Sequence, residues 1–240
     1  MSLFSIITIN LNNAEGLERT IKSVMAQTFQ DYEYIVVDGM SRDGSIDIIN
    51  KHKSKIHKSL IEPDTGIYNA MNKGLALATG KFIQFLNSGD ELNDPEALKI
   101  FATQKREAEL LYCDVKLFGG EKESIKIHPD YLSSRFQLTD MVCHQAIFAS
   151  AELFKRTGGF DESFRVYGDY DWMMNALRRN NASYRHVRSV LVKYQEMGIS
   201  ESTSAEIQRR EKDKIHDKYF GVFLLWVYRL YRKINDKKNS

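Results

Sequence analysis

Short apolar runs rich in β-branched residues alternate with stretches of helical periodicity through the first hundred residues, which confines the chain to an α/β architecture. Phe4 to Leu11 (FSIITINL) reads as a buried strand. A turn opens at Asn12 and Asn13, and Leu17, Ile21 and Val24 recur at helical spacing to about Gln27. Tyr32 to Val37 gives a second strand ending at Asp38, and Ser45 caps a helix carrying Ile46, Ile48 and Ile49. A third strand, Ile56 to Ile61, is broken by Glu62-Pro63-Asp64-Thr65-Gly66. The helix from Tyr68 to Ala78 stops at Thr79-Gly80, with glycine just past the helix. Lys81 to Leu86 then makes a fourth strand, so the units predict a single Rossmann-like, doubly wound, mostly parallel sheet.

That fourth strand ends abruptly in Asn87-Ser88-Gly89-Asp90. In open α/β sheets ligands bind beyond the carboxyl ends of the strands, so Asp90 stands where a cation or a diphosphate is held; the plain alternative is a turn. Asp94-Pro95 marks a helix start. Further on, Leu110 to Leu117 and Ser124 to His128 read as strands around Gly119-Gly120, and Gln145 to Ala149 as another. Ala151 to Thr157 is a helix stopped by Gly158-Gly159. Tyr170 to Arg179 forms a helix that turns Trp172 and Met173 inward and Arg178 and Arg179 to water, and Val187 to Tyr194 holds a last strand. Residues 1–203 form one domain, and 204–240 a helical appendage that is charged to Lys218 and apolar from Phe220.

A net charge of +2 over 240 residues, 28% of them charged, gives no reason to expect nucleic-acid binding. Cys113 and Cys143 are too few for a zinc or disulfide framework, and a reducing cytoplasm fits them. No basic leader or cleavage site is visible at the start, so no signal peptide is expected. The closely spaced glycines of a dinucleotide site are missing after the first strand, and Gly80-Lys81 enters a strand rather than a helix. A nicotinamide dehydrogenase and a P-loop ATPase are thereby excluded.

What stands at successive strand ends is a set of small polar groups and carboxylates: Thr8, Asn10, Asp38, Asp64 and Asp90. The order SIITINLNN, YIVVDGMSRDGS, EPDTGIYNAMNKGLALATGKFIQFLNSGDEL resembles the inverting family 2 glycosyltransferases of the GT-A fold, in particular the subgroup building bacterial exopolysaccharide, capsule or lipopolysaccharide glycans. The resemblance implies that Thr8 and Asp38 contact the nucleotide base, with Asn10, Ser41 and Asp43 beside it. It also implies that Asp64, Asn69, Asn72 and Lys73 line the nucleotide-sugar pocket, and that Asn87 and Asp90 lie at the diphosphate with Asp90 on Mg2+ or Mn2+. Asn87 and Gly89 depart from the acidic residues frequent in that motif.

Direct displacement at an anomeric carbon needs a base for the acceptor hydroxyl. Tyr167-Gly168-Asp169-Tyr170-Asp171-Trp172 resembles the family's acidic-aromatic motif, which implies Asp169 as that base, with Gly168 in place of the first acid. Asp169 is also placed to cap a helix, and Asp171 competes with it. His144 is a candidate for the diphosphate or acceptor side or a structural residue. Gly158-Gly159-Phe160-Asp161 resembles the acceptor-side loop. Phe220 to Tyr231 is too short for a spanning helix, which needs ~20 apolar residues. With Trp226 and the basic residues as far as Lys238 it suits an interfacial helix on anionic lipid, or one packed on the domain or a second copy. The implied function is sugar transfer from a nucleoside diphosphate, UDP by the resemblance, to a hydroxyl of a growing glycan or lipid-linked acceptor. A non-catalytic nucleotide-sugar or glycan-binding module is the alternative.

Overall fold

A computed structural model describes residues 1–104, 108–196, 203–226, 228 and 230. The first half follows the expected alternation: β1 (Phe4–Asn10), α1 (Ala14–Met25), β2 (Tyr32–Asp38), α2 (Ser45–Lys51), β3 (Lys58–Ile61), α3 (Ile67–Leu77) and β4 (Phe82–Phe85). All seven β1 residues are buried, the polar Ser5, Thr8 and Asn10 among them, as suits a strand paired on both edges. β1 pairs in parallel with β2 and with β4, and β2 with β3. The β1–β2 register ends on Asn10 opposite Asp38, which sets two of the polar strand-end residues side by side. α3 lies on β1 and β2 so closely that a Cβ on Gly74 would come 2.5 Å from Ile7 Cγ2.

The second half is mixed. It comprises β5 (Glu91–Leu92), α4 (Ala97–Thr103), β6 (Leu110–Phe118), β7 (Ser124–Lys126), α5 (Ser134–Thr139), β8 (Ile147–Ser150), α6 (Ala151–Thr157), α7 (Gly168–Met174), β9 (Tyr184–Gln195) and α8 (Ala205–Tyr219). The strands form one sheet in the order β3-β2-β1-β4-β8-β6-β9-β5, with β7 on β6. Its long ladders are parallel, β6 with β9 included; the antiparallel ladders of β4–β8, β6–β8, β6–β7 and β5–β9 run over two or three pairs each. β8 leaves β6 after Tyr112 and β7 joins it at Val115, and the segment between these two strands forms one wall of the site described below.

Several local expectations are corrected. Ser45 is the first residue of α2 and not its cap; its N–H and hydroxyl both donate to Asp43, which also receives Ala14 N–H and so joins the starts of α1 and α2. Gly80 does not terminate α3 in a left-handed conformation. It lies against β1, where a Cβ would meet Phe4 C and Ser5 N at 2.7 Å. Asp94 caps a turn through Glu96 N–H and α4 begins only at Ala97, because the Pro95 carbonyl is held by Thr28 N–H. The strand expected over Gln145 to Ala149 starts at Ile147, after a tight 3-10 turn at His144–Ala146. The helix expected over Tyr170 to Arg179 starts at Gly168 and opens into a wider π turn over Asn175–Arg179. Arg178 does not face open water: it donates to Gln137 Oε1 and lies 3.8 Å from the Phe220 ring centroid.

Beneath the parallel strands, buried Glu33 ties β1, β2, β3 and the α3–β4 turn together. It accepts from Ser5 Oγ (2.6 Å), Gly80 N (3.0 Å), Thr79 Oγ1 (2.9 Å) and Lys58 Nζ (2.9 Å). Burial alone would raise its carboxyl; the bonds from Ser5, Lys58 and Thr79 outweigh that and draw it from 4.5 to about 2. The folded value lies below the unfolded one, so this stabilisation is present above about pH 4.5 and fades as pH falls towards 2. Glu33→Gln is expected to lose about 2–3 kcal/mol at neutral pH in urea denaturation, with the gap from the unsubstituted protein closing below about pH 4.

Candidate active site

A cleft of about 680 Å³ opens at the carboxyl ends of β1 and β4. Its near wall carries Asn10, Asp64, Asn87 and Asp90, and its far wall Asp169 with residues of α5, the loop before α7, and α8. Asn10 Nδ2 donates to Asp38 Oδ2 (2.7 Å) and Ser41 Oγ (3.2 Å), while Ser41 donates to both Asp38 oxygens, from N to Oδ1 and from Oγ to Oδ2, at 2.8 Å each. Both Asp38 oxygens are therefore engaged within the protein, and Asp38 is fully buried beneath the wall. Asn10 Oδ1 is buried without a partner among the described residues, which leaves it as the acceptor of this cluster.

Asp64 is the carboxylate displayed at this end. One oxygen accepts Gly66 N–H, and the other lies over Gly39, where a Cβ would approach it to 2.4 Å. Lys73 lies behind, holding the Asp64 turn through Pro63 O (2.7 Å) and Glu62 (2.8 Å). Thr8 is deeper still, its hydroxyl donating to Leu86 O (2.8 Å) and 3.0 Å from Tyr34 OH. Asn69 and Asn72 reach away to Glu162, and Asn72 also brackets Phe160 N and O, so they fasten α3 to the loop after α6. Thr8, Asp38, Ser41, Asp43, Asn69, Asn72 and Lys73 are thus outside the cleft lining, behind or beside it.

Across the cleft, one hydrogen-bonded run joins the end of β4 to the start of α7. Asn87 Nδ2 donates to His144 Nε2 (3.0 Å), and His144 Nδ1 donates to Asp169 Oδ2 (2.7 Å). Asp169 Oδ1 receives Tyr68 OH (3.1 Å) and Tyr170 N–H (2.8 Å), so the carboxylate is aimed from both ends. Burial works against charge on His144, but Asp169, with Asp90 nearby, raises the imidazole above 6.5. Asn87 Oδ1 is left buried with no partner among the described residues. Asp90, 4% exposed, has one oxygen on Gln195 N–H (2.9 Å), and burial pushes its carboxyl up to about 7.

The departure at Gly168 has a steric cause: a Cβ there would come 2.8 Å from the Tyr68 ring, whose hydroxyl holds Asp169. Asp171 is not on the cleft wall. Two helical residues turn about 200°, and Asp171 pairs with Lys218 (2.8 Å) in a separate depression shared with Gly159, Phe160 and Asp161. Sequence reasoning missed Tyr68, which holds Asp169, and Gln195, whose N–H holds Asp90. Tyr68 lies within the quoted EPDTGIYNAMNKG segment, but its partner is 101 positions away. Both cysteines are free.

The curled α/β sheet with its strand-end cleft is that of the GT-A glycosyltransferases. The family model described as Glycosyl transferase family 2 matches residues 5–179, and the chain belongs to that family. A PGL/p-HBAD biosynthesis glycosyltransferase of Mycobacterium tuberculosis is 31% identical over 202 residues, 82% of this chain and 78% of that protein. The crystal structure of S. aureus TarS in complex with UDP-GlcNAc superposes with a TM-score of 0.72 at 21% identity, covering 90% of this chain and 70% of the other. A Pyrobaculum calidifontis mannosyltransferase in complex with GDP-Man and Mn2+ superposes at 0.64 with 15% identity, covering 83% and 59%.

The pairing of His144 with Asp169 can be read directly by NMR. In the unsubstituted protein the His144 ring is expected to titrate above its ordinary range; Asp169→Asn removes the main source of that rise and leaves burial and Asp90, so the midpoint should fall.

Proposed function

We propose that this glycosyltransferase moves a sugar, with inversion, from a UDP-sugar to a hydroxyl of a growing cell-surface glycan. The observation that carries the reading is the run Asn87–His144–Asp169, which sets a carboxylate opposite the strand ends where a nucleoside diphosphate is held. In this reading Asn10, backed by Asp38 and Ser41, accepts a base N–H, and Asp64 meets the ribose or base beside it.

The residues present fit a hard divalent cation. Asp90 and the unpartnered Asn87 Oδ1 are oxygen donors on the cleft wall, and the burial cost of ionising Asp90 falls when a cation is adjacent. Among the described residues no three His, Cys, Asp or Glu side chains converge to hold a metal, so Asp90 and Asn87 would hold the cation together with substrate phosphates and water. When bound, Mg2+ or Mn2+ offsets the charge that develops on the leaving diphosphate. Asp169 takes the proton from the acceptor hydroxyl while that oxygen bonds to the anomeric carbon and the bond to the diphosphate breaks on the opposite face. His144 and Tyr68 hold the Asp169 carboxylate in position for that transfer.

The appendage from 204 presents Val222, Phe223, Trp226 and Leu230, all exposed, after the buried Phe220 and Leu225 that pack it on the domain. With the basic residues that follow in sequence, this face suits the surface of an anionic membrane, and those residues lie outside the described part. Among the described residues no helix is long and apolar enough to cross a membrane.

Titration calorimetry with UDP, with and without Mn2+, followed by UDP release from a panel of UDP-sugars and acceptors, tests the reading. Asp169→Asn should lower turnover by roughly 10²–10⁴-fold while UDP affinity stays within about threefold, and Asp90→Asn should remove the gain in affinity from Mn2+. UDP binding without release across the panel would favour a non-catalytic binding module.

A further inference from the structure

The loop that leads into α7 is held by an unusual clamp. Three consecutive backbone N–H groups, of Arg165, Val166 and Tyr167, all donate to the Glu211 carboxylate of α8, at 2.6, 3.0 and 3.0 Å. Such a row of N–H groups is itself an anion nest, and here a side chain of the same protein fills it, which fixes the loop. Tyr167 is held again by its hydroxyl at Gln208 Oε1 (3.1 Å), and Lys212 Nζ lies 4.7 Å from the centre of its ring.

Two cations flank this clamp, Arg165 on the loop and Lys212 on α8. Arg165 and Lys212 both line the cleft, both are exposed, and neither has a carboxylate partner among the described residues. The third cation of the cleft, Lys126, is committed to Asp140 (2.7 Å) and to the Met141 carbonyl. Of the carboxylates on the lining, Asp140 is thus neutralised, Asp169 is engaged by His144 and Tyr68, Asp64 and Asp90 belong to the strand ends, and Glu196 lies at the end of β9 beside Gly120. The cleft is therefore polarised: carboxylates where β1 and β4 end, unpaired cations on the loop and helix that flank Asp169. A neutral hydroxyl acceptor has no use for cations there. An arginine with its fork of N–H groups beside a lysine is the usual recognition chemistry for a phosphate.

We propose that Arg165 and Lys212 form a second anion site at the far end of the cleft, one that takes a phosphate group of the acceptor. It rests on the reading of the strand-end wall as the donor site, and it makes the acceptor a phosphate-bearing molecule. Arg165 lies four residues ahead of Asp169 on the same segment, so a phosphate held there enters from the side of the carboxylate that removes the acceptor proton. A lipid-linked diphosphate and a phosphodiester of a soluble polymer share this chemistry.

The test uses the full chain in metal-free buffer, with UDP saturating and inorganic pyrophosphate titrated in. The unsubstituted protein should bind pyrophosphate with UDP already in place. The double variant Arg165→Ala, Lys212→Ala should bind it at least tenfold more weakly, Arg165→Lys should keep part of the affinity, and UDP affinity should not change. Absence of pyrophosphate binding in the presence of UDP, or binding that is the same in the double variant, overturns the proposal. Failure of UDP itself to bind would count against the donor reading, and the pyrophosphate titration of the two proteins alone would still decide this one. Two further arms separate the sources. Displacement of bound pyrophosphate by a short-chain polyprenyl diphosphate but not by glycerophosphoglycerol assigns the phosphate to a lipid-linked diphosphate, displacement by glycerophosphoglycerol assigns it to a soluble phosphodiester, and displacement by neither overturns the proposal.

Discussion

A single imidazole links the two walls of the cleft. His144 receives Asn87 from the end of β4 and donates to Asp169 at the start of α7, so the carboxylate proposed as base has its place set by the sheet rather than by its own loop. Both contacts are buried or half-buried, where a hydrogen bond to a charged group is worth more than at the surface. The amide of Asn87 adds a further constraint. With Nδ2 on the imidazole, its Oδ1 is buried and unpartnered and available to a cation; with His144 protonated at both nitrogens, a half-turn of the amide would give Oδ1 to Nε2 instead. A cation at the proposed strand-end site and charge on the imidazole would thus oppose one another through one side chain.

The rest of the molecule secures the two groups that the imidazole connects. On the near side, the seven-residue β1–β2 register brings Asn10 to Asp38, and Gly39 leaves room for Asp64. On the far side, Tyr68 fills the space that a side chain at position 168 would need and supplies a hydrogen bond to Asp169. Glu211 then fixes the backbone just ahead of Asp169 from α8. The site consequently draws on residues from Asn10 to His216, and α8, part of the C-terminal appendage, contributes to its wall.

The fold was legible where burial is continuous. β1, β2 and β4 are buried along nearly their whole length, with Ile, Val and Phe at most positions, and their boundaries fall within a residue or two of the reading from sequence. β5, with two residues, and β7, with three mostly exposed ones, carry too little pattern to be recognised, and α5 is a single short turn of helix. Among site residues, Asn10, Asp64, Asn87, Asp90, His144 and Asp169 are on the cleft because strand ends and helix starts face it. Asp38 was read at the right place, but its register with Asn10 and the loop to Ser41 occupy both of its oxygens, which only the folded chain reveals. Helical periodicity already separates Asp169 from Asp171, whereas the partners of Asp169 lie 25 and 101 positions away and leave no local mark.

The central claim is that residues distant in the chain converge on one pyrophosphate. A crystal structure with UDP and Mn2+ measures this directly. The account predicts the diphosphate in the cleft, with the cation within about 2.0–2.3 Å of an Asp90 oxygen and the Asp169 carboxylate facing it across open space large enough for a sugar. A nucleotide bound elsewhere, or a diphosphate in the cleft with Asp90 still turned only to Gln195, would contradict it.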